Sequence, residues 1–259
     1  TVIDMLCRIQ ETNPRDISSL HGIVLMGSPL DKEPCKRYMK VLTPNIFNGY
    51  GTTETFWNVF LRPYDLPDKA GYAGGACTDD DVRVVRVDTT KHVSPDELVP
   101  MDKETVGEVV IFAPNKSTFA YYDNPKTTEE KFHNGWLYTG DLATWDEHAY
   151  ITIIGRKDDM IVSAGENIYP VQVESILNEH PKVAESLVFG IPDPKRGSVI
   201  AALIRPSDPS LTEKEMKQFC MNHPMLAPYK RPRIFRFVKE LPHNATGKLL
   251  HKLPPDFKF

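Results

Sequence analysis

Gly155 to Pro170 reads GRKDDMIVSAGENIYP, and these sixteen residues divide the chain into two parts of different character. Met160, Ile161 and Val162 read as a short strand and Ala164-Gly165 as a turn. Pro170 is well placed as the first residue of a helix, where its missing N–H is no loss. Ahead of the strand, Arg156, Lys157, Asp158 and Asp159 are too polar to bury unpaired. The run is either a solvated linker or a site whose charges meet a charged ligand. The division predicts one α/β region over 1–157, β-rich from about residue 71, and a compact α+β domain over 158–259.

Upstream, Ile3 to Ile9 carries apolar residues at near-helical spacing and stops before Asn13-Pro14. Ile23 to Met26 predicts a strand ending in the turn Gly27-Ser28-Pro29; Asp31 to Lys40 predicts a helix, and Asn45 to Asn48 a second strand. That order is a βαβ unit with parallel strands. Ligands of such sheets gather at the carboxyl ends of strands, where both Gly27-Ser28-Pro29 and Gly49-Tyr50-Gly51-Thr52-Thr53-Glu54 fall. From Gly71 to Gly155 the pattern shifts to short β segments: Val82 to Val87, Glu108 to Phe112, Trp136 to Tyr138, and Tyr150 to Ile154. A small antiparallel sandwich or barrel is expected there.

Downstream, positions 173, 176 and 177 give Val171 to Leu177 a helical stripe, closed by His180-Pro181. Glu185 to Ile191 and Val199 to Ile204 predict strands. Thr212 and Glu215 form a capping box opening a helix to about Asn222, and Ile234 to Val238 supplies a last strand.

Composition excludes several classes. At 259 residues with 41% hydrophobic and 25% charged residues, the chain suits a globular protein with a sizeable core. A net charge of -4 without a long basic run argues against nucleic acid or an anionic membrane as partner. No apolar run approaches a membrane span, and TVIDMLCRIQ lacks the regions of a signal peptide. Cys7, Cys35, Cys77 and Cys220 show no CxxC spacing, which argues against zinc or a disulfide framework and suits a reducing compartment such as the cytoplasm.

Four short patterns carry chemistry. Tyr50 between two glycines, with Thr52, Thr53 and Glu54, sets an aromatic face, two hydroxyls and a carboxylate on one tight turn. They could stack a base, donate to a phosphate and hold Mg²⁺ whose other ligands are phosphate oxygens and water, or be a turn and no more. Asp141 in Tyr138-Thr139-Gly140-Asp141 could accept from two adjacent sugar hydroxyls or simply form a turn. Arg156 offers a fork of donors to a sugar or phosphate, or an ion pair with Asp158 or Asp159. Lys248 in LPHNATGKLL could bring an ammonium to a carboxylate or phosphate, or face solvent. NATGKLL is not a phosphate-cradling P-loop, having neither the first glycine nor the Ser/Thr after lysine; GxGxxG and HExxH do not occur.

Together, DISSLHGIVLMGSPL, NGYGTTE, VGEVVIF, GWLYTGDLATWDEHAYITIIGRKDDMIVSAGENIYPVQVE and LPHNATGK resemble, in order and spacing, the motifs of the acyl-adenylate-forming (AMP-binding) superfamily. Acyl-CoA synthetases, peptide-synthetase adenylation domains and firefly luciferase belong to it. GRKDDMIVSAGENIYP looks most like the acyl- and aryl-CoA ligase branch. The resemblance implies the carboxy-terminal part of a large α/β domain with an attached β subdomain, then a small mobile α+β domain. It implies an AMP-forming acid–thiol ligase acting on a small carboxylic acid, ATP and CoA with Mg²⁺. Gly27 and Ser28 would line the adenine pocket, Tyr50 would stack on adenine, Thr53 would touch the α-phosphate and Glu54 would help hold Mg²⁺. Asp141 would bind the ribose hydroxyls with Arg156. Asp158 matches the hinge, and Lys248 the lysine that bridges carboxylate and α-phosphate. Gly165 would line the tunnel for the CoA arm, and Tyr229, Lys230 and Arg231 align with a region that meets the CoA nucleotide.

Three departures stand out. The family's Gly/Ser/Thr-rich phosphate loop, which lies upstream of the matched region, is missing, as is most of the large domain, so an upstream remainder of the same enzyme is expected as partner. His251 stands where the family usually has arginine, three residues after the lysine. YAGGACTDDDV lacks prolines common in the family. A non-catalytic nucleotide- or CoA-binding fragment and an adenylation domain loading a carrier protein are the alternative functions.

Overall fold

A computed structural model describes residues 2–244 and 249–251. Two compact units divide it, Thr1–Ile153 and Ile154–Phe259.

In the first unit, α1 (Val2–Thr12) and α2 (Lys32–Val41) flank β1 (Ile23–Met26), and β2 (Ile46–Thr52) runs parallel to β1 with Ile23 opposite Ile46 and Met26 opposite Gly49. The expected βαβ unit is therefore present. Ile3, Cys7, Cys35, Tyr38, Ile46 and Leu61 form its core. Tyr38 also donates through its hydroxyl to Asp4 at 2.8 Å, tying α2 to α1.

β2 does not end at Asn48, as the sequence suggests, but continues through Thr52 and turns into the antiparallel β3 (Phe56–Leu61). Gly49 to Thr52 is thus strand, and the tight turn contracts to Thr53, Glu54 and Thr55. The two glycines mark close approach rather than a loop: a Cβ on Gly51 would lie 1.8 Å from the Phe56 carbonyl oxygen. Gly51→Ala must push these strands apart, so we expect a loss of about 1–3 kcal/mol. A melting temperature lowered by roughly 2–12 °C checks it. β4 (Gly75–Ala76) completes a sheet of order β1-β2-β3-β4.

β1 has a strand neighbour on one side only among the described residues, and Val24 and Met26 on it are exposed. On α1, Val2, Met5, Leu6 and Ile9 are exposed too, a second apolar stripe opposite the buried Ile3 and Cys7.

A second sheet joins β5 (Asp81–Val85), β6 (Gly107–Phe112), β7 (Phe132–His133), β8 (Trp136–Trp145) and β9 (Ile151–Arg156) in the order β5-β6-β8-β7, with β9 also on β8. β5, β6, β8 and β7 pair antiparallel. One helix that the sequence reading passed over, α3 (Pro125–Lys131), precedes β7; it buries no residue and starts from an Asn124 cap that accepts from Thr127 N–H.

The second unit opens with a 3₁₀ turn over Lys157–Asp159, then β10 (Ile161–Ser163) and β11 (Glu166–Ile168), paired antiparallel. Ala164 and Gly165 between them both have positive φ, 51° and 86°, the pattern of a two-residue hairpin. β11 corrects the expectation of a turn leading straight to helix. α4 (Pro170–Leu177) does start on Pro170. β12 (Val183–Asp193) and β13 (Gly197–Pro206) pair antiparallel, α5 (Glu213–Asn222) follows the Thr212–Glu215 capping box, and β14 (Ile234–Phe237) lies parallel to β13. Successive β12 residues face two cores. Val188 packs with Val173, Leu177, Met216 and Phe235, and its neighbours Leu187 and Phe189 with Leu203 and Leu241 on the other side.

Candidate functional site

In the first unit the site grows from the end of the parallel pair. Because Met26 lies opposite Gly49, Gly27 and Ser28 leave β1 at the level where β2 presents Tyr50. Gly27 has φ 91°, and both turn residues are exposed. The expectation that the two stretches meet at one sheet end holds, with Tyr50 on a strand instead of a turn.

Asp141 belongs to β8, so its turn reading is overturned: it sits in mid-strand. The strand bulges there. Glu108 is opposite Leu142 but Val110 is opposite Tyr138, so β8 carries extra residues around Gly140, whose φ is 74°. Side chains hold the bulge. Thr139 Oγ1 donates to Val109 O at 2.8 Å and accepts from Asp141 N–H at 2.9 Å, and the buried Glu108 carboxylate accepts from Gly140 N–H at 3.2 Å. The bulge re-aims Asp141, and Tyr50 donates its hydroxyl to Asp141 Oδ2 at 2.7 Å. Two motifs ninety-one residues apart are joined by that bond.

Thr53 is exposed at the hairpin tip and Glu54 is half-buried beside it. The Tyr121 hydroxyl donates to Glu54 Oε1. Burial pushes the Glu54 carboxyl up, but hydrogen bonds from Tyr121, its own backbone and Thr52 outweigh that and hold it below the usual carboxylate range. Glu54 is therefore anionic at neutral pH. Below the tip a polar chain stiffens the turn: Thr52 and Thr55 hydroxyls meet at 3.0 Å, Thr55 donates to Asn58 at 2.7 Å, Asn58 to Asp80 at 2.9 Å, and Lys116 to Asp80 at 2.6 Å. Asn58 and the Asp80 side chain are buried.

Sequence reasoning missed Tyr121, Glu108, Thr139, Asn58, Asp80 and Lys116. One signal was legible: a lone carboxylate in the apolar run VGEVVIF must be partnered if the strand is buried.

In the second unit, Arg156 is half-buried at the end of β9 and Asp158 is exposed in the 3₁₀ turn. Gly165 is exposed at the β10–β11 hairpin tip, where an added Cβ would meet nothing within 4 Å. Tyr229 and Lys230 share a 3₁₀ turn, Pro228–Lys230; Lys230 donates to Gln172 at 3.3 Å, and Arg231 donates to Leu226 O at 3.1 Å. Gly165 and the Tyr229 to Arg231 stretch thus stand on separate elements of one unit. Lys248 lies outside the described residues. Among those described, no group of three or more His, Cys, Asp or Glu is arranged to hold a metal ion, and no helix is long and apolar enough to cross a membrane.

Residues 1–122 match the AMP-binding enzyme family, and residues 172–248 match the AMP-binding enzyme C-terminal domain. The chain belongs to the AMP-binding enzyme family. A long-chain-fatty-acid–CoA ligase of Escherichia coli O157:H7 is 32% identical over 252 residues, 97% of this chain and 43% of that protein. A 2-succinylbenzoate–CoA ligase of Bacillus cereus strain Q1 is 37% identical over 251 residues, 96% of this chain and 48% of that protein. Among solved structures, an o-succinylbenzoate CoA synthetase from Bacillus subtilis in complex with its acyl-adenylate intermediate superposes with a TM-score of 0.80 at 33% identity. That match covers 98% of this chain and 50% of the synthetase chain. The O-succinylbenzoate Coenzyme A synthetase of Bacillus subtilis in complex with ATP and magnesium ion has a TM-score of 0.77 at 33% identity, covering 96% of this chain and 49% of that chain. The mixed α/β fold with several sheets is therefore that of AMP-binding enzymes, and the chain spans about half the length of these relatives.

Proposed function

We propose that this chain corresponds to the carboxy-terminal half of an ATP-dependent carboxylate–CoA ligase. Residues 1–157 would complete the large AMP-binding domain and 158–259 would be the small mobile domain. In the first half-reaction a carboxylate oxygen attacks the α-phosphorus of ATP and pyrophosphate leaves. In the second the CoA thiol, giving up its proton, attacks the acyl carbonyl and AMP leaves. The protein's part is placement and charge neutralisation.

The observation that carries the reading is the Tyr50–Asp141 bond, because it sets an aromatic face and a sugar-binding carboxylate side by side. Gly27 and Ser28 would border the adenine stacked on Tyr50, Thr53 would donate to the α-phosphate, and Asp141 with Arg156 would take the ribose. Glu54, kept anionic, fits a Mg²⁺ bound mainly by phosphate oxygens and water; when bound, the ion would offset phosphate charge. Gly165, Tyr229, Lys230 and Arg231 would face the CoA arm and its nucleotide. Relatives named for a fatty acid and for 2-succinylbenzoate support a carboxylic acid as substrate. Four free cysteines, three of them buried, fit the reducing cytoplasm.

A second reading, a nucleotide-binding module without catalysis, is favoured for the chain taken alone, since it carries no Gly-rich loop for the β- and γ-phosphates. One experiment serves both. The isolated 259-residue chain should bind AMP by calorimetry yet release no pyrophosphate from ATP with mixed carboxylates. Asp141→Ala should weaken AMP binding by about 10–100-fold, the worth of hydrogen bonds to a charged group. Brisk pyrophosphate release by this chain would overturn the expectation of inactivity, and AMP affinity indifferent to Asp141→Ala would overturn the site.

A further inference from the structure

The residues that follow Lys248 are each held by a different contact. Leu249 packs against the core of Leu187, Phe189, Leu203 and Leu241, and bridges to His243. Leu250 N–H donates to Pro242 O at 2.9 Å. His251 reaches α4: its Nε2 lies 2.9 and 3.1 Å from the two carboxylate oxygens of Glu174, and its Nδ1 3.8 Å from Asp159. Glu174 is buried, only 6% exposed, and Oε1 also accepts from Val188 N–H at 2.7 Å. A buried carboxylate is costly unless its hydrogen bonds are made, so the pairing resists being broken. His243 is tied to Glu185 at 2.9 Å, and that bond, opposed by burial, raises the pKa of His243.

We propose that His251, gripped by Glu174, is the positioning residue that holds the chain immediately after Lys248 on the small unit. The inference rests on the proposed ligase function and on the bridging role that the family resemblance implies for Lys248. Lys248 precedes His251 by only three residues, so the anchor and the lysine are close in the chain. The same imidazole adjoins Asp159, next to the proposed hinge at Asp158. Arginine keeps its charge at every working pH, whereas an unperturbed imidazole changes charge between about pH 5 and 8. The carboxylates of Glu174 and Asp159 face His251, and Asp158 lines the same cleft.

The test is amide hydrogen exchange at Leu249 and Leu250 in the 259-residue chain, corrected for intrinsic rates, with α4 and β12 as internal controls. His251→Ala should lower protection at these two amides at least tenfold and leave the controls unchanged. Wild-type protection should fall between pH 6 and 8, and His251→Arg should keep it flat over that range. Unchanged protection in His251→Ala, or a uniform loss across the small unit, would overturn the proposal. So would a His251→Arg profile that falls with pH as the wild type does. In a chain completed to its relatives' length, His251→Ala should slow acyl-AMP formation and spare transfer from preformed acyl-AMP to CoA. Lys248→Ala run beside it separates the two ideas: if it leaves acyl-AMP formation intact, the role given to Lys248 fails, whereas the exchange result judges the anchor alone.

Discussion

Lys248→Ala, in the completed enzyme, should slow acyl-AMP formation by about 10²–10³-fold or more, the usual consequence of removing one preorganised charge from a developing anion. Carboxylate and α-phosphate are both negative, and their approach needs a cation between them. Preformed acyl-AMP should still pass to CoA at nearly the normal rate, since the role proposed for the lysine belongs to the first half-reaction alone. Single-turnover kinetics started from ATP plus acid, and separately from synthetic acyl-AMP plus CoA, measure the two halves. Equal loss of both in folded protein would refute the division of labour.

Asp158→Pro should give the complementary result, with adenylation kept and thioester formation lost. Asp158 is exposed in the 3₁₀ turn Lys157–Asp159, whose closing bond is donated by Met160 N–H to Lys157 O at 3.3 Å, so proline at 158 takes no donor from it. The φ of a 3₁₀ residue is near the value proline imposes, and proline also restricts residue 157. Folding should therefore survive while rotation at the junction does not, and a step that depends on the small domain turning should fail. The same pair of single-turnover measurements decides it: a variant that forms thioester as fast as wild type would show that residue 158 is no hinge.

Local chemistry made much of the fold legible. Ile23–Met26, the helix beginning on Pro170 and the Thr212–Glu215 capping box declare themselves within a few residues, and the structure has each of them. The hairpin β2–β3 was hidden because Gly-Tyr-Gly-Thr-Thr reads as loop; what demands glycine at 51 is the Phe56 carbonyl, a partner no local pattern reveals. β8 was cut short at Tyr138 for a related reason. Gly140 and Asp141 look like a turn, and only Glu108 and Val109 on another strand keep them inside a sheet. α3 escaped although Asn124 and Pro125 announce it, because a helix that buries nothing leaves no apolar periodicity. The candidate site divides in the same way. Its residue types could be read from the motifs, but the meeting of Tyr50 with Asp141, or of Tyr121 with Glu54, depends on sheet register and on a bulge.

The unpaired side of β1 and the outward stripe of α1 bear on colloidal behaviour. Val24 and Met26 are exposed on a strand that has a neighbour on one side only among the described residues, and Val2, Met5, Leu6 and Ile9 are exposed on α1. Preparations of this chain alone should self-associate as concentration rises, and light scattering should show the association weakening when Met5 and Ile9 are changed to lysine.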